Sequence, residues 1–207
     1  MTITGDRPYF DLPTLLQLTG EKRQSVIVQL SRFQKQGKIS PLRRGMYVFA
    51  EPFRKKTPAA VFLANRIYSP SYLSFHWALW YYDIIPEHVF EYTNVTTRVP
   101  RTFKNEFGVF SYTHIKQSCF GGYRTAELDG SRFLVAEPEK ALADLWYIGK
   151  GEWTVERMAE MRFQNFKAIS SGKLAAHVRL YGHQRLVRAL QNWRHFIRLE
   201  KKGTKTL

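Results

Sequence analysis

The stretch from Leu30 to Phe49, LSRFQKQGKISPLRRGMYVF, constrains this chain more than any other. Val26, Leu30 and Phe33 recur at i, i+4 and i+7, the spacing of one helical stripe. Gly37 follows where such a helix would stop, because glycine takes a left-handed backbone without a Cβ penalty. Ile39 and Leu42, then Met46, Tyr47, Val48 and Phe49, read as two short strands around Arg43-Arg44-Gly45. A helix running into a basic hairpin is the grammar of a winged helix-turn-helix. It sets paired arginines on a tight turn beside a helix that suits a DNA groove.

Upstream, Asp11 is placed to cap a short helix through Leu18, with Pro13 in its first turn and Leu12, Leu15 and Leu16 inward. Thr19-Gly20 makes the turn. The second helix is expected over 21–36, with Val26, Leu30 and Phe33 inward and Gln24, Ser25, Val28, Ser31, Arg32 and Lys35 opposite. The N-terminal part of a recognition helix meets base edges, which makes Lys22, Arg23, Gln24, Ser25 and Gln29 the contact candidates, with Arg32 nearer the phosphates. Glutamine can bond adenine in a bidentate manner and arginine can bond guanine. Arg43 and Arg44 would reach the backbone or the minor groove. The competing reading of each charge is an ordinary solvated helix face.

Charge placement agrees with a polyanionic partner. The formal net charge is +15, and residues 1–56 hold 11 Lys and Arg against 4 Asp and Glu. Residues 57–177 are nearly balanced, 13 against 12, whereas residues 178–207 hold 8 against 1. Two basic ends around a neutral middle suggest a nucleic-acid module, an interaction body and a basic terminal helix. We therefore expect an α+β protein with a winged helix-turn-helix domain at 1–56. A mixed α/β domain with a small sheet and a helical C-terminal part is expected at 57–207. The lone Cys119 and the lack of a leader or a long apolar run suggest a cytoplasmic chain with no membrane partner.

In the body, 51–56 (EPFRKK) reads as a linker, and helices are expected from Thr57-Pro58 through about Ile67 and from after Ser69-Pro70-Ser71 through about Tyr82. Strand-like segments follow at 89–97, 109–115 and 133–136. Glu137-Pro138-Glu139 opens a helix with Ala141, Leu142, Leu145 and Trp146 buried. A last helix near 184–199 has Leu186, Leu190, Trp193 and Ile197 as its seam.

Four blocks in series carry a family resemblance: 72–79 (YLSFHWAL), 94–98 (NVTTR), 108–115 (GVFSYTHI) and 135–145 (VAEPEKALADL), preceded by Arg43-Arg44-Gly45-x-Tyr47. In order and spacing the chain resembles the AbiEi antitoxins of bacterial type IV toxin–antitoxin systems, over most of residues 10–147. The resemblance implies a phage-defence antitoxin that binds double-stranded operator DNA and represses its own operon. It also implies a nucleotidyltransferase-like toxin as functional partner, neutralised without the need for a stable complex. If the operator is an inverted repeat, two copies must occupy it, as a weak dimer or as monomers that meet only on the DNA.

Catalytic and metal readings are weaker. His76, His88, His114, His177, His183 and His195 show no metal-ligand spacing, so no cofactor or metal is expected and structural roles are favoured. Glu137 and Glu139 suit a helix first turn, and Asp144 lies one turn from Lys140. Gly121-Gly122 is too short for a phosphate loop, Gly130-Ser131 lacks a following Asp-x-Asp, and Cys119 has no recognisable base. The chain is thus read as not an enzyme. Two alternatives stay open: a nucleic-acid-processing enzyme or RNA-binding factor, and a stand-alone ligand-sensing regulator. Arg185, Arg188, Arg194 and Arg198, with Lys201, Lys202 and Lys205, form either a solvated face or a second nucleic-acid contact.

Overall fold

The computed structural model describes residues 8–203 as a mixed α+β protein with two sheets. At the N-terminal end, β1 (Phe10–Asp11) leads into α1 (Leu12–Thr19) and α2 (Arg23–Lys35), followed by the hairpin β2 (Ile39–Arg43) and β3 (Met46–Phe49). Asp11 caps α1 by accepting from Thr14 N at 3.0 Å. Gly20, at φ 65°, ends the helix with its N–H on Leu16 O. The three strands form an antiparallel sheet in the order β1-β3-β2. The strand β1 escaped the sequence reading because two residues carry no periodicity; Phe10 stacks on Tyr47 with ring centroids 5.9 Å apart.

Two expectations for this part need correction. Phe33 is not an inward residue but 39% exposed, with Lys38 Nζ 5.6 Å from its ring centroid. Val26, Leu30, Leu15, Phe10 and Ile39 close the small core without it. Nor is 51–56 a free linker: Arg54 donates to Phe49 O at 2.7 Å, pairs with Glu106 at 2.6 Å and lies over the Phe107 ring.

The body is built on a six-stranded mixed sheet, larger than the small sheet expected, in the order β6-β7-β5-β4-β9-β8. Its strands are β4 (Ser71–Leu73), β5 (Glu91–Thr96), β6 (Arg101–Asn105), β7 (Gly108–His114), β8 (Tyr123–Leu128) and β9 (Ser131–Ala136). The pairs β5·β7 and β4·β9 are parallel and the others antiparallel. The expected helix after Ser71 begins later, because Ser71–Leu73 are taken up by pairing with β5 and β9; α4 spans Phe75–Tyr81. Likewise α3 spans Ala60–Ile67, with Ala59 rather than Thr57 at its N-cap. It packs on β4 and β9, while α5 (Pro138–Ile148) packs against α4 and α7 (Ser171–Tyr181). The short α6 (Val155–Glu160) and the long α8 (Gln184–Gly203) complete the chain. The seam of α8 is as expected, with Leu186, Leu190 and Trp193 buried and Ile197 half-buried.

One feature of the packing bears directly on the site. Leu42, Met46 and Val48 of the hairpin are at most 2% exposed and belong to the same buried cluster as the body's core. The hairpin is therefore the seam that joins the α1–α2 pair to the large sheet.

Candidate nucleic-acid interface

The segment 22–35 holds four basic residues and no acidic one. Lys22, Arg23, Gln24, Ser25 and Arg32 are all exposed, as are Val28, Ser31 and Lys35. Lys22 occupies the N-cap position of α2 with no side-chain cap, so the first-turn N–H groups lack a capping side chain and the positive end of the helix dipole adds to Lys22 and Arg23. Gln29 differs from its neighbours. It is half-buried, and its Nε2 donates to Glu21 Oε2 at 2.8 Å.

The two hairpin arginines diverge. Arg44 is exposed at the turn, where Gly45 adopts φ 78°. Arg43 is turned toward the body: its Nε donates to Ile67 O at 2.6 Å and its Nη1 to Arg44 O at 3.0 Å. Nearby, Asn105 Nδ2 donates to Leu42 O at 3.1 Å. Arg43 thus ties the turn to α3, a role its Arg-Arg-Gly spacing does not reveal.

The basic terminal helix also divides. Arg185 donates to the carbonyls of Tyr147, Gly149 and Gly151, and Arg188 pairs with Glu152 at 2.6 Å. Those two hold α8 to the loop after α5. Arg194, Arg198 and Lys201 are exposed, whereas Lys205 lies outside the described residues.

The densest polar chemistry lies inside. Lys140 and Asp144 are fully buried and form an ion pair one helical turn apart. Asp144 Oδ1 also accepts from Tyr181 OH, and Oδ2 accepts from Ser74 Oγ at 2.7 Å and Tyr72 OH at 3.1 Å. Lys140 Nζ donates to Tyr181 OH at 2.9 Å and lies 5.5 Å from the Tyr72 ring centroid. Burial, followed by the Asp144 charge, pushes both tyrosine hydroxyls well above their ordinary range, which keeps them protonated as donors. The cluster fastens β4, α5 and α7 together. With Lys140 and Asp144 sealed from solvent, it reads as a structural fastener and not as a reaction centre.

Sequence reading recognised the Lys140–Asp144 spacing but not its depth, nor Tyr72, Ser74 and Tyr181. The available signal is a charged pair in KALADLW, where the three residues between Lys140 and Asp144 and the two after are apolar. His177 beside it has its pKa lowered, by burial first and the Lys140 charge second. His76 is likewise lowered, by burial. Glu139, placed in a helix first turn by its position, is buried at 3% and accepts from Ser170 N at 2.7 Å. Cys119 is buried, with its thiol near Leu180 O at 3.7 Å. No cluster of three or more His, Cys, Asp or Glu suited to a metal occurs among the described residues. No helix among them is long and apolar enough to cross a membrane. No protein-family model matches the chain, and no curated protein matches it.

Proposed function

We propose that this chain is a duplex-DNA-binding repressor of the antitoxin type, in which residues 8–56 act as a winged helix-turn-helix. The observation that carries the reading is the exposure of Lys22, Arg23, Gln24, Ser25 and Arg32 along a helix, α2, that holds no Asp or Glu and runs into a basic hairpin. In the major groove, Arg23 and Gln24 near the N-terminus of α2 would meet guanine and adenine edges, while Lys22 and Arg32 would hold phosphates. Arg44 would contact the adjacent backbone. Arg43 would act indirectly, by fixing the turn that presents Arg44.

The antitoxin part of the proposal draws on the four resemblance blocks. Scattered along the sequence, they meet as the adjacent strands β7, β5, β4 and β9 with helices α4 and α5. Ser74 and Tyr72 of the first block bond Asp144 of the last. A shared set of blocks that forms one contiguous core supports a common fold more strongly than scattered matches would. A nucleotidyltransferase-like toxin is the functional partner this reading implies, without a requirement for direct contact.

The test is a titration of DNA from upstream of the chain's own gene against a scrambled duplex, at one stated salt concentration. The wild-type chain should prefer the native duplex tenfold or more, about 1.4 kcal/mol. Arg23→Ala/Gln24→Ala should remove the preference, whereas Arg32→Ala should weaken both duplexes and lower the salt slope by about one. Equal wild-type binding to both duplexes would refute sequence-specific repression.

A further inference from the structure

A pocket of about 280 Å³ opens between α3, β4 and the β8–β9 hairpin. Its existence follows from a local parting of the sheet. The parallel pairing of β4 with β9 is registered at Leu73↔Val135, and beside it Asn65 inserts its carboxamide between the strands. Asn65 Oδ1 accepts from Leu134 N at 2.6 Å, and Nδ2 donates to Leu134 O at 3.3 Å and Ser71 O at 3.4 Å. The backbone groups freed by the parting are thus satisfied from within, so the pocket wall is built in advance of any ligand.

The lining contains Arg66 and Arg132 and no Asp or Glu. Both arginines are exposed; Arg66 lies over the Phe62 ring, and Arg132 has a loose 3.5 Å contact to Glu127 in open solvent. Phe120 and Tyr123 supply an aromatic shelf. Tyr123 is 37% exposed, stacked on the buried Tyr72 at 4.8 Å and set edge-on to Phe120 at 5.6 Å. A ring backed in this way is held flat for stacking at low entropic cost.

We propose that this pocket binds a single nucleotide unit, its base on the Phe120–Tyr123 shelf and its phosphate between Arg66 and Arg132. A metal ion would find no carboxylate there, a purely apolar ligand would face two guanidinium groups, and a simple anion would leave the shelf unused. The volume lies just below the roughly 300 Å³ at which small-molecule pockets commonly begin, so a dinucleotide cofactor is too large. A free nucleotide and a unit of single-stranded nucleic acid share this chemistry. The proposal does not rest on the duplex-DNA reading, because it uses none of the α2 residues.

The experiment is calorimetric titration of the full chain with each of the four ribonucleoside 5′-monophosphates, the matching nucleosides, inorganic phosphate and a single-stranded tetranucleotide. Saturable binding of a monophosphate or of the tetranucleotide is expected. It should weaken tenfold or more in Arg66→Ala/Arg132→Ala and in Tyr123→Ala, and nucleoside or phosphate alone should bind at least tenfold more weakly than the monophosphate. Tighter binding of the monophosphate than of the tetranucleotide supports a free nucleotide as occupant, and the reverse supports a strand. Absence of saturable binding by both, or binding indifferent to all these substitutions, overturns the proposal. So does inorganic phosphate binding as tightly as the nucleotide. Matching urea midpoints establish that the variants fold, and their duplex titrations should equal wild type, which keeps this test separate from that of the α2 surface.

Discussion

Substituting Lys140→Met tests whether the buried cluster is a fastener. Methionine is close to lysine in length and fills the same space, so little cavity is made and the main loss is the ammonium group. Asp144 keeps its hydroxyl donors Tyr72, Tyr181 and Ser74 but becomes a carboxylate sealed from water with no cation. Breaking a buried pair in this way costs about 3–5 kcal/mol. Urea m-values of roughly 2–3 kcal/mol/M then translate this to a midpoint shift of about 1–2.5 M. The chain reports on itself, since Trp77, Trp146, Trp153 and Trp193 are all buried. Tyr181→Phe and Tyr72→Phe grade the effect, because each deletes one hydroxyl bonded to a charged group, worth about 1.5–3 kcal/mol. Tyr181→Phe should cost more, as its hydroxyl meets both Lys140 and Asp144. Combining Lys140→Met with Tyr181→Phe should cost less than the sum, since the two side chains share one partner. A Lys140→Met midpoint within about 0.3 M of wild type, below 1 kcal/mol on the same m-value, would refute the fastener reading.

Four further outcomes follow from local geometry. Gly122→Ala should destabilise by about 1–3 kcal/mol in urea melts, because a Cβ there would lie 2.5 Å from His177 Cε1 on a backbone with φ +68°; an unchanged midpoint would mean the ring moves freely. Arg43→Ala should lower the urea midpoint by removing the bond to Ile67 O, while Arg44→Ala at the exposed turn should leave stability within about 0.5 kcal/mol; the opposite order would reverse their assigned roles. Burial holds the His177 pKa below the ordinary imidazole value of 6.5, so the unfolded chain binds more protons as pH falls through that value. Its contribution is present above pH 6.5 and lost as pH drops toward the folded pKa, and His177→Gln should flatten the decline in midpoint between pH 7.5 and 5.5. Arg54→Ala should cost about 1–2 kcal/mol through its mostly buried stack on Phe107 and its carbonyl bond; a cost near zero would restore the segment to a true linker.

The N-terminal helices, hairpin and last helix were legible because their signals are local. Asp11 and Gly20 are a cap and a stop, Gly45 a turn, and the α8 seam a four-residue rhythm. Phe33 satisfies the same rhythm yet is exposed, since periodicity identifies a face but not where the partner surface ends. The body was harder for a different reason. Three-residue β4 has no period to detect, and its identity as a strand comes from neighbours more than twenty residues away in β5 and more than sixty away in β9. In the hairpin β8–β9, Asp129-Gly130, both at positive φ, is a strong turn signal, but only 133–136 carries a strand-like composition. Among the candidate contacts, Lys22, Arg23, Gln24, Ser25 and Arg32 are each exposed. Sequence has no means to separate Arg43 from Arg44, because adjacent hairpin residues are told apart only by what lies behind the sheet.

That separation changes how the basic end should be understood. A wing projecting on its own would let the α1–α2 pair move independently of the body. Here the hairpin's inner residues Leu42, Met46 and Val48 are core residues of the body, and Arg43, Arg54 and Asn105 stitch its edges to α3 and the β6–β7 turn. The exposed face of α2 consequently rests on a small cluster of five buried residues, itself seated on the hairpin. Any ligand or partner that shifts the hairpin must disturb the large core, whereas α1 and α2 can loosen at the expense of the small one alone. A path through bonded atoms runs from α3 through Ile67 O and Arg43 to the turn that carries Arg44, beside the core contacts of Leu42, Met46 and Val48. The same α3 contributes Asn65 and Arg66 to the 280 Å³ pocket, which puts pocket wall and hairpin anchor on a single helix.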